Sequence, residues 1–329
     1  MTRFKISVDL GESYNDPMQF IECVEVAAKY QFEAAWFGDH LFPFIHSARR
    51  SSFVWSMFPT ALDRTHRLKV GPDVTCPIGG RYHPFIIAQA AATIDNMYPG
   101  RFLLAVGSGE AINEARFLHK WPKWKERMDR LVEAVRLIRL LWNSDDYFSF
   151  DGHYFSSKDL FLYTKPKAKI PIYFSALGSK AATLAGTYGD HLVTINSVEK
   201  VPEIFAKFEA AASVAGKDSM KMEKMVLVGP MFSDERTGID ELKRTHEAAY
   251  LAEGAFDMQD PREIERKSAN LTDDMLAKMM YFCPTPEDVI ELVARYQKAG
   301  ATHVAIATQS DPAKIRMIGE KVLPHFIHG

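Results

Sequence analysis

Two short stretches carry side chains able to move protons beside a bound molecule. Asp39-His40 follows the apolar run Ala34–Phe37, and Glu110 follows Gly107-Ser108-Gly109 after the apolar run Phe102–Val106. Imidazole titrates near neutrality, so His40, ringed by Phe37, Phe42 and Phe44, suits a general base or the partner of a hydride acceptor. The competing expectation is a structural histidine hydrogen-bonded at a strand end. The two glycines let backbone approach a ligand closely. Glu110 would then enter the first turn of a helix, where negative charge is favoured. A carboxyl group facing an apolar ring has its pKa raised and suits an acid or proton shuttle; simple capping is the alternative. Asn113 and Glu114 follow one turn later.

Other stretches offer binding chemistry. Gly178-Ser179-Lys180 opens a helical pattern, where backbone N–H groups, the helix dipole and a lysine would hold a phosphate. An ordinary strand-to-helix turn would look the same. Asp73-Val74 is followed by Thr75 and Pro77. A proline so near a strand end suggests a bulge that would press on a planar ring, or merely a strand terminus. His83, His119, His191 and His303 lack Cys or carboxylate partners at metal-ligand spacing, so no metal is expected. The aromatic residues between 142 and 163 read as packing for an insertion.

These residues need a frame. Short β-rich runs alternate with longer helical patterns: strands at Phe4–Leu10, Ala34–Phe37, Leu68–Val74, Phe102–Val106, Ile172–Ser175, His191–Thr194, Lys224–Val228 and His303–Ala307. Helices are expected at Pro17–Tyr30, Pro84–Tyr98, Trp124–Trp142 and Val201–Ala215. Such alternation predicts a parallel sheet, and this number of units in 329 residues favours one closed (β/α)₈ TIM barrel over residues 1–329. Segments 145–169 and 232–300 stand out as insertions. No GxGxxG opens the first helix, which weighs against a doubly wound dinucleotide-binding sheet. In a barrel the chemistry sits at the C-terminal ends of strands, where His40, Asp73, Glu110, Gly178 and Thr194 all fall.

The formal net charge of -2 gives no global attraction to nucleic acid or an anionic membrane. The 3 cysteines form no CxxC pair, and they fit a reducing compartment. No apolar run reaches the ~20 residues of a membrane span, and no signal peptide opens the chain, so a cytoplasmic location is expected.

The segments DHLFPFIH (39–46), TCPIGGRYHPFIIAQAAATIDNMYPGR (75–101), AVGSGEAINE (105–114), FLYTKPKAKIPIYFSALGSKAATLAGTYGD (161–190) and AGATHVAI (299–306) together resemble the deazaflavin-dependent branch of the luciferase-like barrel family. The resemblance spans nearly the whole chain. It implies coenzyme F420 as cofactor, a small-molecule substrate and a homodimer. It assigns His40 to stabilising or deprotonating a substrate hydroxyl, and Glu110 to proton donation or relay. Asp39, Asp73, Val74, Gly107, Ser108, Gly109, Asn113, Gly178, Ser179, Lys180 and Thr194 would contact the cofactor. A non-prolyl cis peptide is implied between Asp73 and Val74. Phe44 stands where the family has a substrate-side tryptophan, which keeps the apolar wall and loses an N–H donor. The sugar-phosphate branch grips its substrate with cations. Here Arg266 and Met279 fall at two of those positions and the neighbourhood of Val198 at the third. An alcohol dehydrogenase is therefore expected. The alternatives are a sugar-phosphate dehydrogenase, a reductase of another acceptor, an FMN-dependent monooxygenase, or a non-catalytic deazaflavin binder.

Overall fold

The computed structural model describes residues 3–12 and 16–327. The first strands are β1 (Lys5–Glu12), β2 (Ala34–Gly38), β3 (Lys69–Pro72) and β4 (Leu104–Val106). An antiparallel hairpin of β5 (Phe148–Asp151) and β6 (Ser156–Leu160) follows, within segment 145–169. Then come β7 (Ile172–Ser175), β8 (His191–Thr194), β9 (Lys224–Val228), the short β10 (Pro230–Met231) and β11 (Tyr281–Phe282), and β12 (His303–Ala307).

The main sheet is 8-stranded and runs β3-β2-β1-β12-β9-β8-β7-β4. Its ends meet. Leu103 N–H reaches the Val70 carbonyl at 2.9 Å, Thr75 N–H the Ala105 carbonyl at 3.0 Å, and Gly107 N–H the Thr75 carbonyl at 3.0 Å. Closure satisfies the backbone groups that an open sheet would leave at its edges. The expected barrel is the observed fold.

Alternation along the strands sorts side chains into two layers. Ile6, Val8, Leu10, Ala35, Phe37, Val304 and Ile306 face the surrounding helices in one continuous core. Ala34, Trp36, Leu103, Ala105, Tyr173, Val193, Met225 and Ala305 fill the barrel itself. At its N-terminal end the filling is polar. Glu223 accepts hydrogen bonds from the Tyr173 hydroxyl at 2.9 Å and Lys5 at 2.7 Å, and pairs with His303 Nδ1 at 2.9 Å. Ser7 Oγ closes the chain at 2.7 Å from His303 Nε2. This polar network closes the floor of the barrel, and the opposite mouth is left for chemistry. At that mouth the next inward positions include Gly38, Gly107, Ser175, Gly229 and Ala307, with the larger Ile195 following Val193 on β8. The small side chains leave room for a flat group.

Two features differ from the sequence reading. The helix Val54–Asp63 was not anticipated, because Pro59 interrupts its pattern; buried Val54, Trp55, Phe58 and Leu62 hold it in place. The second insertion is also shorter than 232–300. Helix Pro286–Lys298 buries Val289, Leu292, Val293 and Tyr296 in the main core, so it is the barrel's own crossover helix. Thr285 and Asp288 form a capping box that starts it. The pairing of Pro230 with Tyr281 and of Met231 with Phe282 ties off the inserted segment. A two-residue pairing of partners so distant in sequence leaves no local signature. Among the described residues, no helix is long and apolar enough to cross a membrane.

Candidate active site

His40 lies just past β2, and its side chain is 11% exposed. Glu110 occupies the N-cap of the short helix Ala111–Glu114, with φ -128° and ψ 143°, and makes no side-chain capping bond. This corrects the expectation that it enters the first turn. Freed from capping, its carboxyl turns toward the histidine, with His40 Nε2 3.7 Å from Glu110 Oε2. Asn113 sits between them and the chain. Its Nδ2 lies 3.1 Å from His40 Nδ1 and donates to Glu110 Oε2 at 3.3 Å. Its Oδ1 accepts the N–H groups of Leu41 at 2.9 Å and Phe42 at 3.3 Å. The Phe44 ring packs 5.3 Å from the His40 ring and 6.0 Å from Phe256.

The electrostatics follow from burial. Desolvation, reinforced by the charge of Glu114, pushes the Glu110 carboxyl up to about 8. Desolvation also pushes Glu114 up to about 7, against the pull of the Arg81 N–H and guanidinium. His40 is driven down to about 4, chiefly by burial and also by the Arg81 charge, with the Phe42 carbonyl opposing. At neutral pH the pair is therefore a protonated carboxylic acid beside a neutral imidazole, two groups whose environments separate their roles. Asp73 is raised by burial and by the charges of Asp9 and Glu110. Burial lifts Asp9 to about 6.

Asp39, to which the resemblance gives a ring contact, is held by four side chains. Its side chain is 0% exposed. Oδ2 accepts from Thr75 Oγ1 at 2.6 Å and Trp55 Nε1 at 3.1 Å, and Oδ1 from the Tyr82 hydroxyl at 2.9 Å. Arg81 Nη1 pairs with Oδ1 at 3.0 Å. The carboxylate is thus an anchor for the loop that carries His40. These partners were missed from sequence as functional positions. Arg81 and Tyr82 lie within GGRYHP, where nothing local marks them as partners of a residue some forty positions earlier, and Trp55 lies on the unanticipated helix.

The other residues that the resemblance gives to the cofactor lie at or just past strand ends. The Asp73-Val74 peptide is cis, as the resemblance implied. Val74 packs on the inner cluster, and a Cβ at Gly107 would lie 2.5 Å from its Cγ2. Ser108 is half-buried beside Gly107. Gly109 has φ +77°, and a Cβ there would run into Cys76 Sγ. Gly178 is the exposed N-cap of helix Ser179–Tyr188, with no side-chain capping bond and nothing within 4 Å of a Cβ built on it. Lys180 is exposed beside it, and the Ser179 hydroxyl donates to Glu203 at 2.5 Å. Thr194 is buried, and its Oγ1 accepts from Asn196 Nδ2 at 2.8 Å.

Arg266 and Met279 lie apart from this group. The residues packed around Phe44 are Ile45, Ile112, Ala249, Ala252, Ala255 and Ile264, with Phe42, Tyr250 and Met258 at the edge. Ile264 and Arg266 share a helix, but two residues turn about 200° around it, so Arg266 is exposed on the far side. Met279 is 47% exposed at the end of another helix, Asp273–Met279.

The profile of the luciferase-like monooxygenase family matches residues 1–303. The chain is 30% identical over 316 residues to an F420-dependent glucose-6-phosphate dehydrogenase of Microbacterium testaceum, covering 94% of this chain and 93% of the relative. It is 33% identical to an F420-dependent hydroxymycolic acid dehydrogenase of Mycobacterium tuberculosis, covering 88% of this chain and 78% of the relative. Among solved structures it superposes with a TM-score of 0.91 and 35% identity on an F420-dependent secondary alcohol dehydrogenase in complex with an F420-acetone adduct, covering 99% of this chain and 100% of that one. A long-chain alkane monooxygenase at 13% identity and a TM-score of 0.77 shares the fold. With its closed barrel, a profile match over residues 1–303 and relatives at 30% and 33% identity over most of both chains, the chain belongs to the luciferase-like monooxygenase family.

Proposed function

We propose that the chain is a coenzyme F420-dependent dehydrogenase acting on the CH–OH group of a small, largely apolar alcohol, in either direction. The observation that carries this reading is the placement of the Glu110 carboxyl 3.7 Å from His40 at the barrel mouth, walled by Phe44, where burial raises the pKa of the carboxyl and lowers that of the imidazole. The slot beside it fits a flat ring. Gly107 lets backbone lie against Val74, and the neighbouring strand ends carry small residues. The exposed, uncapped N-terminus at Gly178 and Ser179, with Lys180 beside it, suits the phosphate and acidic tail of such a cofactor.

When bound, the deazaflavin supplies a ring carbon that accepts or returns a hydride and forms no oxygen adduct. The protein's part is to place the reacting carbon about 3–3.5 Å from it and to manage the oxygen's proton. Two groups 3.7 Å apart can both hydrogen-bond one oxygen at about 2.8 Å, so His40 and Glu110 hold the substrate oxygen between them. Asp39 keeps His40 in position through Thr75, Trp55, Tyr82 and Arg81. Phe44 and the segment Ala249–Met258 exclude water from that spot.

The wall around Phe44 is apolar. A phosphorylated sugar would need several cations facing it; Arg266 faces away, and Arg116 stacks 4.1 Å from the centroid of the Phe42 ring. A secondary alcohol with apolar substituents matches the wall. The test mixes the protein with oxidised F420 and a panel of secondary alcohols, with glucose 6-phosphate alongside, and follows the loss of cofactor absorbance. Secondary alcohols should bleach the cofactor and glucose 6-phosphate should not. Tight FMN binding with oxygen consumption, or no bleaching by any alcohol, would sink the reading.

A further inference from the structure

The hydrogen bonds around Asn113 decide which nitrogen of His40 carries its proton. A side-chain amide has an acceptor end and a donor end. The Asn113 oxygen faces two backbone donors, the N–H groups of Leu41 at 2.9 Å and Phe42 at 3.3 Å. Turning the amide over would set its NH₂ against both. Its nitrogen therefore faces His40 Nδ1 at 3.1 Å and Glu110 Oε2 at 3.3 Å, one hydrogen for each. An Nδ1–H would collide with that NH₂. The Phe42 carbonyl, 3.3 Å from Nδ1, would favour the Nδ1–H form but is the longer contact. With Nδ1 accepting, the single proton of the neutral ring must sit on Nε2, the nitrogen that faces Glu110.

We infer that Asn113 is a positioning residue that locks His40 as the Nε2–H tautomer, so that His40 serves the reaction as a hydrogen-bond donor to the substrate oxygen and not as its base. This rests on the dehydrogenase reading. A neutral imidazole with Nε2–H stabilises negative charge building on that oxygen, and it has no lone pair there to take a hydroxyl proton. The proton then belongs to Glu110. When the alcohol is oxidised, its carbon gives a hydride to the F420 ring and its hydroxyl proton goes to a Glu110 carboxylate. When the carbonyl is reduced, the carbon takes the hydride back, and the oxygen takes the proton of the Glu110 carboxylic acid, which becomes a carboxylate. Asn113 enforces this division without touching the substrate.

The assignment is read directly by long-range ¹H–¹⁵N correlation spectra of ¹⁵N-histidine-labelled protein without cofactor near neutral pH, with the His40→Gln variant assigning the signals. Wild type should show a protonated Nε2 and an unprotonated Nδ1. In Asn113→Asp, a carboxylate oxygen replaces the NH₂ while the other oxygen still accepts the Leu41 and Phe42 N–H groups. The tautomer should switch to Nδ1–H, and the imidazole should titrate at higher pH than in wild type. With cofactor present, the alkaline rise of alcohol oxidation should disappear in Glu110→Gln. In Asn113→Asp, kcat should fall by about 10- to 100-fold, with a new dependence on the titration of His40. A wild-type Nδ1–H signal overturns the proposal even if Asn113→Asp fails to fold, and so does an unchanged tautomer in a folded Asn113→Asp. Nε2–H in a protein that turns over no alcohol would retain the tautomer and defeat the dehydrogenase reading. Nδ1–H in an active dehydrogenase would do the reverse.

Discussion

Tyr82 donates its hydroxyl proton to Asp39 Oδ1 at 2.9 Å, tying the loop after β3 to the residue that precedes His40. Arg81 reaches the same oxygen at 3.0 Å, and both side chains of that ion pair are nearly or fully buried. Removing the carboxylate takes from a buried guanidinium the carboxylate it pairs with at 3.0 Å, while removing the phenol oxygen breaks one bond. Asp39→Ala should therefore lower unfolding stability by about 3–5 kcal/mol. Tyr82→Phe should cost about 1–3 kcal/mol. Urea denaturation checks both; equal effects would show that Asp39 is not the hub.

His40→Ala should reduce turnover by about 10²–10³-fold, because an aligned donor to the reacting oxygen is lost. Cofactor affinity should barely change, since the Gly107–Val74 slot and the Gly178 helix terminus remain. Steady-state kinetics with fluorescence titration of F420 separate the two. Unchanged turnover would make His40 a structural residue.

The carboxyl of Glu110, held up to about 8 by burial and by Glu114, predicts opposite pH limbs for the two directions. Carbonyl reduction needs the acid form, so its rate should fall as pH rises through about 8. Alcohol oxidation needs the carboxylate and should rise over the same range. Glu110→Gln should remove both limbs. Identical profiles in the variant would take the proton away from Glu110.

Glu114 gives a stability test with a definite sign. In the unfolded chain it ionises near 4.3, whereas burial raises it to about 7 in the fold. Between those values the folded protein binds a proton that the unfolded chain has released, so stability from this group falls as pH rises through the window. Gln can still accept the Arg81 N–H that Glu114 Oε2 accepts at 2.7 Å. The melting temperature of Glu114→Gln relative to wild type should therefore climb steadily from about pH 4 to about pH 7. A constant difference would place the titration elsewhere.

Gly107→Ala puts a Cβ 2.5 Å from Val74 Cγ2, in the proposed ring slot. Gly178→Ala meets open space. The first should weaken F420 binding by at least tenfold, while the second should leave it within a few-fold. Equal losses would mean that the slot is not where the ring lies.

Much of this was legible in one dimension. β7, β8, β9 and β12 fall where the apolar runs put them, because a strand buried on both faces reads as an unbroken apolar run. His40 and Glu110 stood out because ionisable groups shortly after such runs land at the barrel mouth. The alternation of strands and helices was enough to predict a closed barrel. Other features depend on pairings between distant residues, which local sequence does not record. The helix Val54–Asp63 survives Pro59 only through the core packing of Trp55 and Phe58. Asp39 becomes an anchor only when Thr75, Tyr82 and Arg81 arrive from the loop after the adjacent strand. The end of the second insertion is set by β10 meeting β11. The proton on His40, finally, is placed by an amide whose two ends are fixed by the backbone of one loop and the carboxyl of another. The sequence by itself determined which groups reach the mouth, because burial period and strand order are local properties. Only the tertiary structure decided how those groups share charge and protons, because hydrogen-bond direction and desolvation exist only once the loops are side by side.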